Sequence, residues 1–227
     1  MATLTQPVSI EEREPQTGGR GPDRAPPRNR DDEGGGFGFT EADRLRRYRV
    51  GMAVGLTPVL MLFVAFTSAY IVRQGLGGDW RSTALPPIFW VNTVILLASS
   101  VTMERARRRG ALLGAHGGEE EGGFPWLGMT LILGIGFLTG QWMAWRQLAA
   151  QGVYISSNPS SSFLYLLTGS HGLHLAGGLV ALVYASAASL LGRPASTRRI
   201  VVDITAWYWH FMDLLWIYIL ALLYFAR

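Results

Sequence analysis

Five long apolar runs separated by short polar breaks dominate the chain from Val50 onward: residues 50–72, 87–103, 125–149, 162–191 and 203–226. A hydrocarbon core about 30 Å thick is crossed by about 20 helical residues. Only a helix or a closed barrel satisfies every backbone group at that depth. Four runs reach the length comfortably and the second is marginal. The fourth spans roughly 45 Å as a helix, so it must tilt or protrude. Pro86, Pro87, Pro125 and Pro159 precede or open runs and Pro194 follows one, where proline suits helix boundaries. Pro58 lies inside the first run and should bend it. A soluble bundle would need more polar surface. Only 16% of the residues are charged, against roughly a quarter in soluble domains. The pattern predicts an all-α membrane protein, a bundle of five transmembrane helices over residues 50–227.

Residues 1–49 have a different chemistry. They hold nine arginines and nine acidic residues, broken by Gly18, Gly19, Gly34, Gly35, Gly36, Pro22, Pro26 and Pro27. Such a segment buries too little apolar surface to offset its chain entropy, so it reads as a disordered polar cytoplasmic arm. No apolar core follows a short basic start, so it is not a secretory signal. Its last residues, from Thr40 as N-cap with Asp43 three positions on, have the pattern of a helix start.

Arginine placement sets the expected topology. All 20 basic residues are arginine, and there is no cysteine. Arg44, Arg46, Arg47 and Arg49 precede the first run. Arg105, Arg107, Arg108 and Arg109 follow the second, and Arg193, Arg198 and Arg199 follow the fourth. The other side has Arg73, Arg81, Arg146 and Arg227. The positive-inside rule then puts the N-terminus in the cytoplasm and the C-terminus outside. The formal net charge of +4 reflects these flanking arginines rather than a surface for nucleic acid. The missing cysteine excludes disulfides, thiolate nucleophiles and Cys-based metal sites.

Small residues mark candidate helix contacts, because they let backbones approach closely in lipid. Gly51 with Gly55, Gly136 with Gly140, and Gly172 with Ala176 and Gly177 have suitable spacing. Trp80, Trp126, Trp145, Trp207 and Trp209 lie near run ends, as an interfacial aromatic belt would.

Polar residues inside the runs carry most of the information, because a charge in a membrane must face protein or water. His171 and His174 sit three apart in the fourth run; His210 and Asp213 do so in the fifth. Each pair therefore shares a helix face. The simplest arrangement packs the two faces together, with Asp213 accepting from an imidazole and Glu104 nearby. Asn92 and Gln141 are further bridging candidates. A metal or haem site, a proton relay and a purely structural polar staple are all compatible with these residue types. No nucleotide-binding, hydrolase or zinc-protease motif accompanies them.

Three strings resemble one family. Ser162-Phe163-Leu164-Tyr165-Leu166-Leu167-Thr168-Gly169-Ser170-His171-Gly172-Leu173-His174, continuing to Gly178, resembles the penultimate helix of subunit III of haem–copper terminal oxidases. Trp207-Tyr208-Trp209-His210-Phe211-Met212-Asp213-Leu214-Leu215-Trp216 resembles its last helix. Leu85 to Thr102, with Trp90, Asn92 and Ser99-Ser100, looks like another block of the short five-helix form. The T-G-x-H-G-x-H and Y-W-H-F-x-D patterns are specific, and together the strings cover most of residues 50–226 in order.

The resemblance implies a non-catalytic subunit of a cytochrome c oxidase, which reduces oxygen in aerobic respiration and pumps protons. It implies no cofactor or metal in this chain, since haem and copper belong to subunits I and II. It further implies partnership with those subunits and with phospholipids, in some oxidases within a larger respiratory supercomplex, and support of proton uptake. His171, His174, His210, Asp213 and Glu104 are then structural contacts. The same family serves quinol oxidases and nitric oxide reductase; a self-contained membrane cytochrome is a third alternative, from outside it. One departure stands out. The family's first helix in this form carries a Ser-Glu pair where this chain has Pro58-Val59, so the membrane carboxylate is missing.

Overall fold

The structure is a computed structural model that describes residues 41–76, 78, 80, 85–116, 124–191 and 195–225, and every structural statement concerns these. Their regular structure is helical: α1 (Glu41–Leu76), α2 (Ile88–His116), α3 (Phe124–Ala150), α4 (Pro159–Leu190) and α5 (Ala195–Phe225). Four of them, α1, α3, α4 and α5, are long and apolar enough to cross a membrane. In α2 the apolar stretch is shorter and is interrupted by Asn92, Ser99, Ser100, Thr102 and Glu104. Asn92, Ser99 and Thr102 are buried, and α2 packs on α3 and α5.

Several boundaries differ from the expected ones. Residues 41–49 form the first turns of α1, continuous with the first apolar run, as the helix-start pattern there leads one to expect; the remainder of the expected arm and its Thr40 cap lie outside the described residues. α1 continues through Pro58. Arg105, Arg107, Arg108 and Arg109 are helical, not loop, because Met, Glu, Ala and Arg are good helix formers and no breaker intervenes. α5 begins eight residues before the expected start at Asp203, since hydropathy marks where a helix enters apolar surroundings and not where its backbone hydrogen bonds begin.

Helix ends follow local chemistry. At the end of α3, Gly152 takes a left-handed φ of 76°. This lets the Val153 N–H reach the Leu148 carbonyl at 2.9 Å, a glycine-dependent closure of the last turn. α4 opens on a capping box: the Asn158 side chain accepts from the Ser161 N–H, the Asn158 N–H donates to Ser161 Oγ, and Pro159 occupies the first turn.

Contacts between helices fix their alternating direction. The start of α1, the end of α2, the start of α3 and the start of α5 meet at one end, through Arg49, Arg107, Trp126 and Asp203. The opposite end holds Tyr70 of α1, Trp80, Trp145 of α3 and Tyr165 of α4. Leucine is the commonest residue of the core, whose bulkiest buried side chains are aromatic: Phe63, Tyr70, Phe89, Phe137, Trp209 and Trp216. Trp209 therefore belongs to the core and not to an interfacial belt; its indole N–H donates to Ser99 Oγ at 3.0 Å. Trp126 does lie beside arginines, with Arg105 and Arg109 at 5.0 and 5.1 Å from its ring.

Candidate functional site: a polar seam between helices α2 and α5

Two polar groups meet where α2 runs beside α5. The deeper one is built on His210. Its Nδ1 lies 2.8 Å from Ser100 Oγ on α2. Glu104, one helical turn beyond Ser100, comes within 3.6 Å of His210 Nε2. Asp213, one turn along α5, has a carboxylate oxygen 3.7 Å from His210 Nδ1. That separation exceeds a hydrogen bond, so the contact is electrostatic.

The shallower group is an ion-pair network across three helices. The Arg49 guanidinium on α1 donates twice to Asp203 on α5, at 2.7 and 2.8 Å. Arg107 on α2 reaches the same carboxylate at 3.3 Å and donates twice to Glu104 at 2.8 Å. Arg108 adds a 2.6 Å bond to Glu104. Hydrogen bonds from Arg107, then from Arg108, hold the Glu104 carboxyl at about 2, well below its ordinary 4.5, against a smaller opposing effect of burial. Glu104 in turn raises Arg107 above its ordinary value. Glu104 is the joint between the two groups, bonded to Arg107 and facing His210.

Not all five expected cluster residues come together. His210, Asp213 and Glu104 do. His171 is fully buried elsewhere, with its ring 5.1 Å from Trp216 and 5.7 Å from Phe137. His174 faces α1, with Phe63 edge-on at 5.9 Å, and its Nδ1 lies 2.7 Å from the Ser170 carbonyl. A carbonyl can only accept, so Nδ1 carries the proton. The expected pairing of Asp213 with an imidazole of α4 is therefore replaced by its approach to His210 of its own helix. The reason is rotational: large aromatic side chains of α5 fill the α4 face and turn Asp213 toward α2. Among the described residues, no three metal-ligating side chains converge on one point.

The glycine expectations divide similarly. A Cβ at Gly140 would overlap the Asn92 side chain, so α2 and α3 approach closely there. Gly136, Gly172 and Gly177 make only ordinary contacts, and nothing lies within 4 Å of a Cβ at Gly51 or Gly55. Two further positions are tight: Gly134 under Leu179 and Trp209, and Gly178 under Tyr208. Asp203, Ser100 and Thr93 are contact residues that their sequence pattern does not mark. Asp203 bore one signal, an acid at the edge of an apolar run with an arginine-rich helix end elsewhere in the chain.

Several side chains of the family-like strings bond to one another across helices. Trp209 donates to Ser99, Trp216 to Thr93 at 3.0 Å, Tyr208 to the His174 carbonyl at 2.8 Å, and His210 meets Ser100. The family model described as Cytochrome c oxidase subunit III matches residues 44–227, which takes in all of these contacts.

The chain belongs to the cytochrome c oxidase subunit III family.

Similar proteins agree. The probable cytochrome c oxidase subunit 3 of Mycobacterium leprae is 32% identical over 78% of this chain and 87% of its own length. The cytochrome c oxidase subunit 3 of Corynebacterium diphtheriae is 30% identical over the same shares. The cytochrome bo(3) ubiquinol oxidase subunit 3 of Pseudomonas aeruginosa is 32% identical over 73% of this chain and 78% of its own length. The chain is thus a haem–copper oxidase subunit III, a membrane protein within an oxidase complex that has other subunits.

Proposed function

We propose that this subunit III is non-catalytic and acts by packing. In this reading it crosses the bacterial plasma membrane five times beside subunits I and II, which carry haem and copper, and supports subunit I through shared lipid and proton uptake. The observation that carries the reading is the use made of the family-like side chains. His210, Trp209, Trp216 and Tyr208 spend their polar atoms on neighbouring helices. Bonds of this kind fix helix rotation and register, which is what a packing subunit requires. Interhelical hydrogen bonds in membranes average about 0.6 kcal/mol each, so several together set rotation and register.

A fifth span through α2 is part of the proposal. Its inward polar residues, paired with α3 and α5, explain how a less apolar helix can lie at membrane depth. Orientation is argued from arginine: Arg44, Arg46, Arg47, Arg49, Arg105, Arg107, Arg108 and Arg109 share one end of the bundle, which would face the cytoplasm. For lipid, an open cleft of about 750 Å³ lies at the other end between α1 and α4. Arg73, Ser157 and Asn158 supply polar lining, and Val72, Leu76 and Phe163 apolar lining. That mixture suits a phospholipid headgroup above its acyl chains.

Cytochrome c is the proposed electron donor of the complex, following the actinobacterial relatives. The Pseudomonas relative is a ubiquinol oxidase subunit, which keeps a quinol donor as the second reading. An affinity tag on this chain tests membership and role together. The reading expects co-purification of haem-bearing partners and no Soret band when the chain is expressed alone. A Soret band from the chain alone would overturn it, and oxidation of quinol but not cytochrome c by the complex would select the second donor.

A further inference from the structure

Three neutral polar side chains are fully enclosed in the bundle formed by α2, α3, α4 and α5: Asn92, Gln141 and His171. The amide nitrogen and oxygen of Asn92, those of Gln141, and both ring nitrogens of His171 have no hydrogen-bond partner among protein groups. Exchanging the two amide atoms by a flip changes nothing, because both are unpaired in each amide. Buried polar atoms are nearly always partnered by protein or by ordered water.

Contacts of their neighbours bring the three to nearby heights in the bundle. On α3, Phe137 meets His171 at 5.7 Å. Two turns on, Trp145 donates to Thr168, one turn before His171. Gln141 lies between these anchors on the same face of α3. Asn92 lies against Gly140, immediately beside Gln141. Thr93, next to Asn92, accepts from Trp216, whose ring lies 5.1 Å from His171.

We propose that Asn92, Gln141 and His171 hold a small cluster of ordered water molecules at the centre of the four-helix layer. The chemistry identifies the ligand. Two amides and a neutral imidazole offer equal numbers of donors and acceptors and no net charge. An ion would lack a counter-charge, and an apolar ligand would leave every polar atom unmet. A water donates and accepts, and one typically serves about three buried polar groups. The Asn92 side chain lies against α3 at Gly140, where a Cβ would overlap it. The glycine at Gly140 is what gives its amide a place in the layer.

A map of the purified oxidase complex by electron cryomicroscopy tests this, at a resolution that shows ordered waters in other buried parts of the assembly. The expected result is discrete non-protein density within about 2.6–3.2 Å of at least two of the three side chains. Direct bonds among the three without such density would overturn the proposal, and so would unbonded side chains in a dry layer. His171→Phe gives a second arm. It should remove the density nearest α4 while leaving that beside Asn92 and Gln141; density unchanged at α4 would overturn the proposal. If the variant fails to assemble, the map of the unmodified complex decides.

Discussion

Asp203 on α5 receives both arms of the Arg49 guanidinium from α1, at 2.7 and 2.8 Å, and also takes Arg107 from α2 at 3.3 Å. Among the described helices α1 packs on α4 and α5, and this carboxylate joins it by polar contacts to α2. Asp203→Leu would leave two guanidiniums without their shared partner, whereas Arg49→Leu leaves Asp203 with Arg107. The Arg49 side chain is 41% exposed, which screens the loss. The expected cost is about 1–2 kcal/mol for Asp203→Leu, below the 3–5 kcal/mol of a broken buried pair, and less for Arg49→Leu. Detergent denaturation of the purified complex, followed by release of this subunit, measures both. Equal costs would contradict the shared role of Asp203.

The Glu104 ion pairs carry a pH signature. Arg107 and Arg108 hold the Glu104 carboxyl at about 2 instead of 4.5. A group whose pKa is lowered by folding contributes stability above its ordinary value and loses it as pH falls through the lowered one. Between pH 7 and pH 5, Glu104 should therefore stay ionised with its arginine contacts intact. An infrared difference spectrum against Glu104→Gln would check this. A protonated-acid band assigned to Glu104 near pH 5 would contradict it.

Glycine substitutions separate positions in contact within the bundle from positions that are open. Gly140→Ala, Gly134→Ala and Gly178→Ala place a methyl group against Asn92, Trp209 and Tyr208 respectively. Overpacking of this kind costs about 1–3 kcal/mol. Gly51→Ala and Gly55→Ala meet nothing within 4 Å and replace glycine by a better helix former, so the isolated subunit should be unchanged or slightly more stable. Thermal unfolding of the five variants in detergent gives the ranking; a loss at Gly55 equal to that at Gly140 would contradict the contact assignment.

The long apolar runs were legible because hydrocarbon burial imposes length and composition on a span directly. The helical ends beyond them were harder to read: residues 41–49 gave a capping pattern, but 104–116 and 195–202 gave none, because outside apolar surroundings a helix carries no such signature. The polar residues themselves were legible as candidates, since charge and imidazole are rare in apolar runs. Their partners were not. Partner choice depends on how each helix rotates about its axis, and that is decided by bulky neighbours: Trp216 and Phe137 enclose His171, while Asp213 turns toward α2. The same rotation explains why Gly134 and Gly178 are tight and Gly51 and Gly55 open, although all four look alike as glycines in apolar runs.

The packing role of the α2–α5 seam is tested most directly by pairing two quantities in one preparation. These are the haem content of the oxidase and the number of turnovers it completes before losing activity, measured with His210→Leu or Asp213→Leu in this subunit. Both substitutions disturb the group of Ser100, Glu104, His210 and Asp213. The account predicts unchanged haem content, weaker retention of this subunit and a shorter working life. Haem lost in proportion to activity would contradict it.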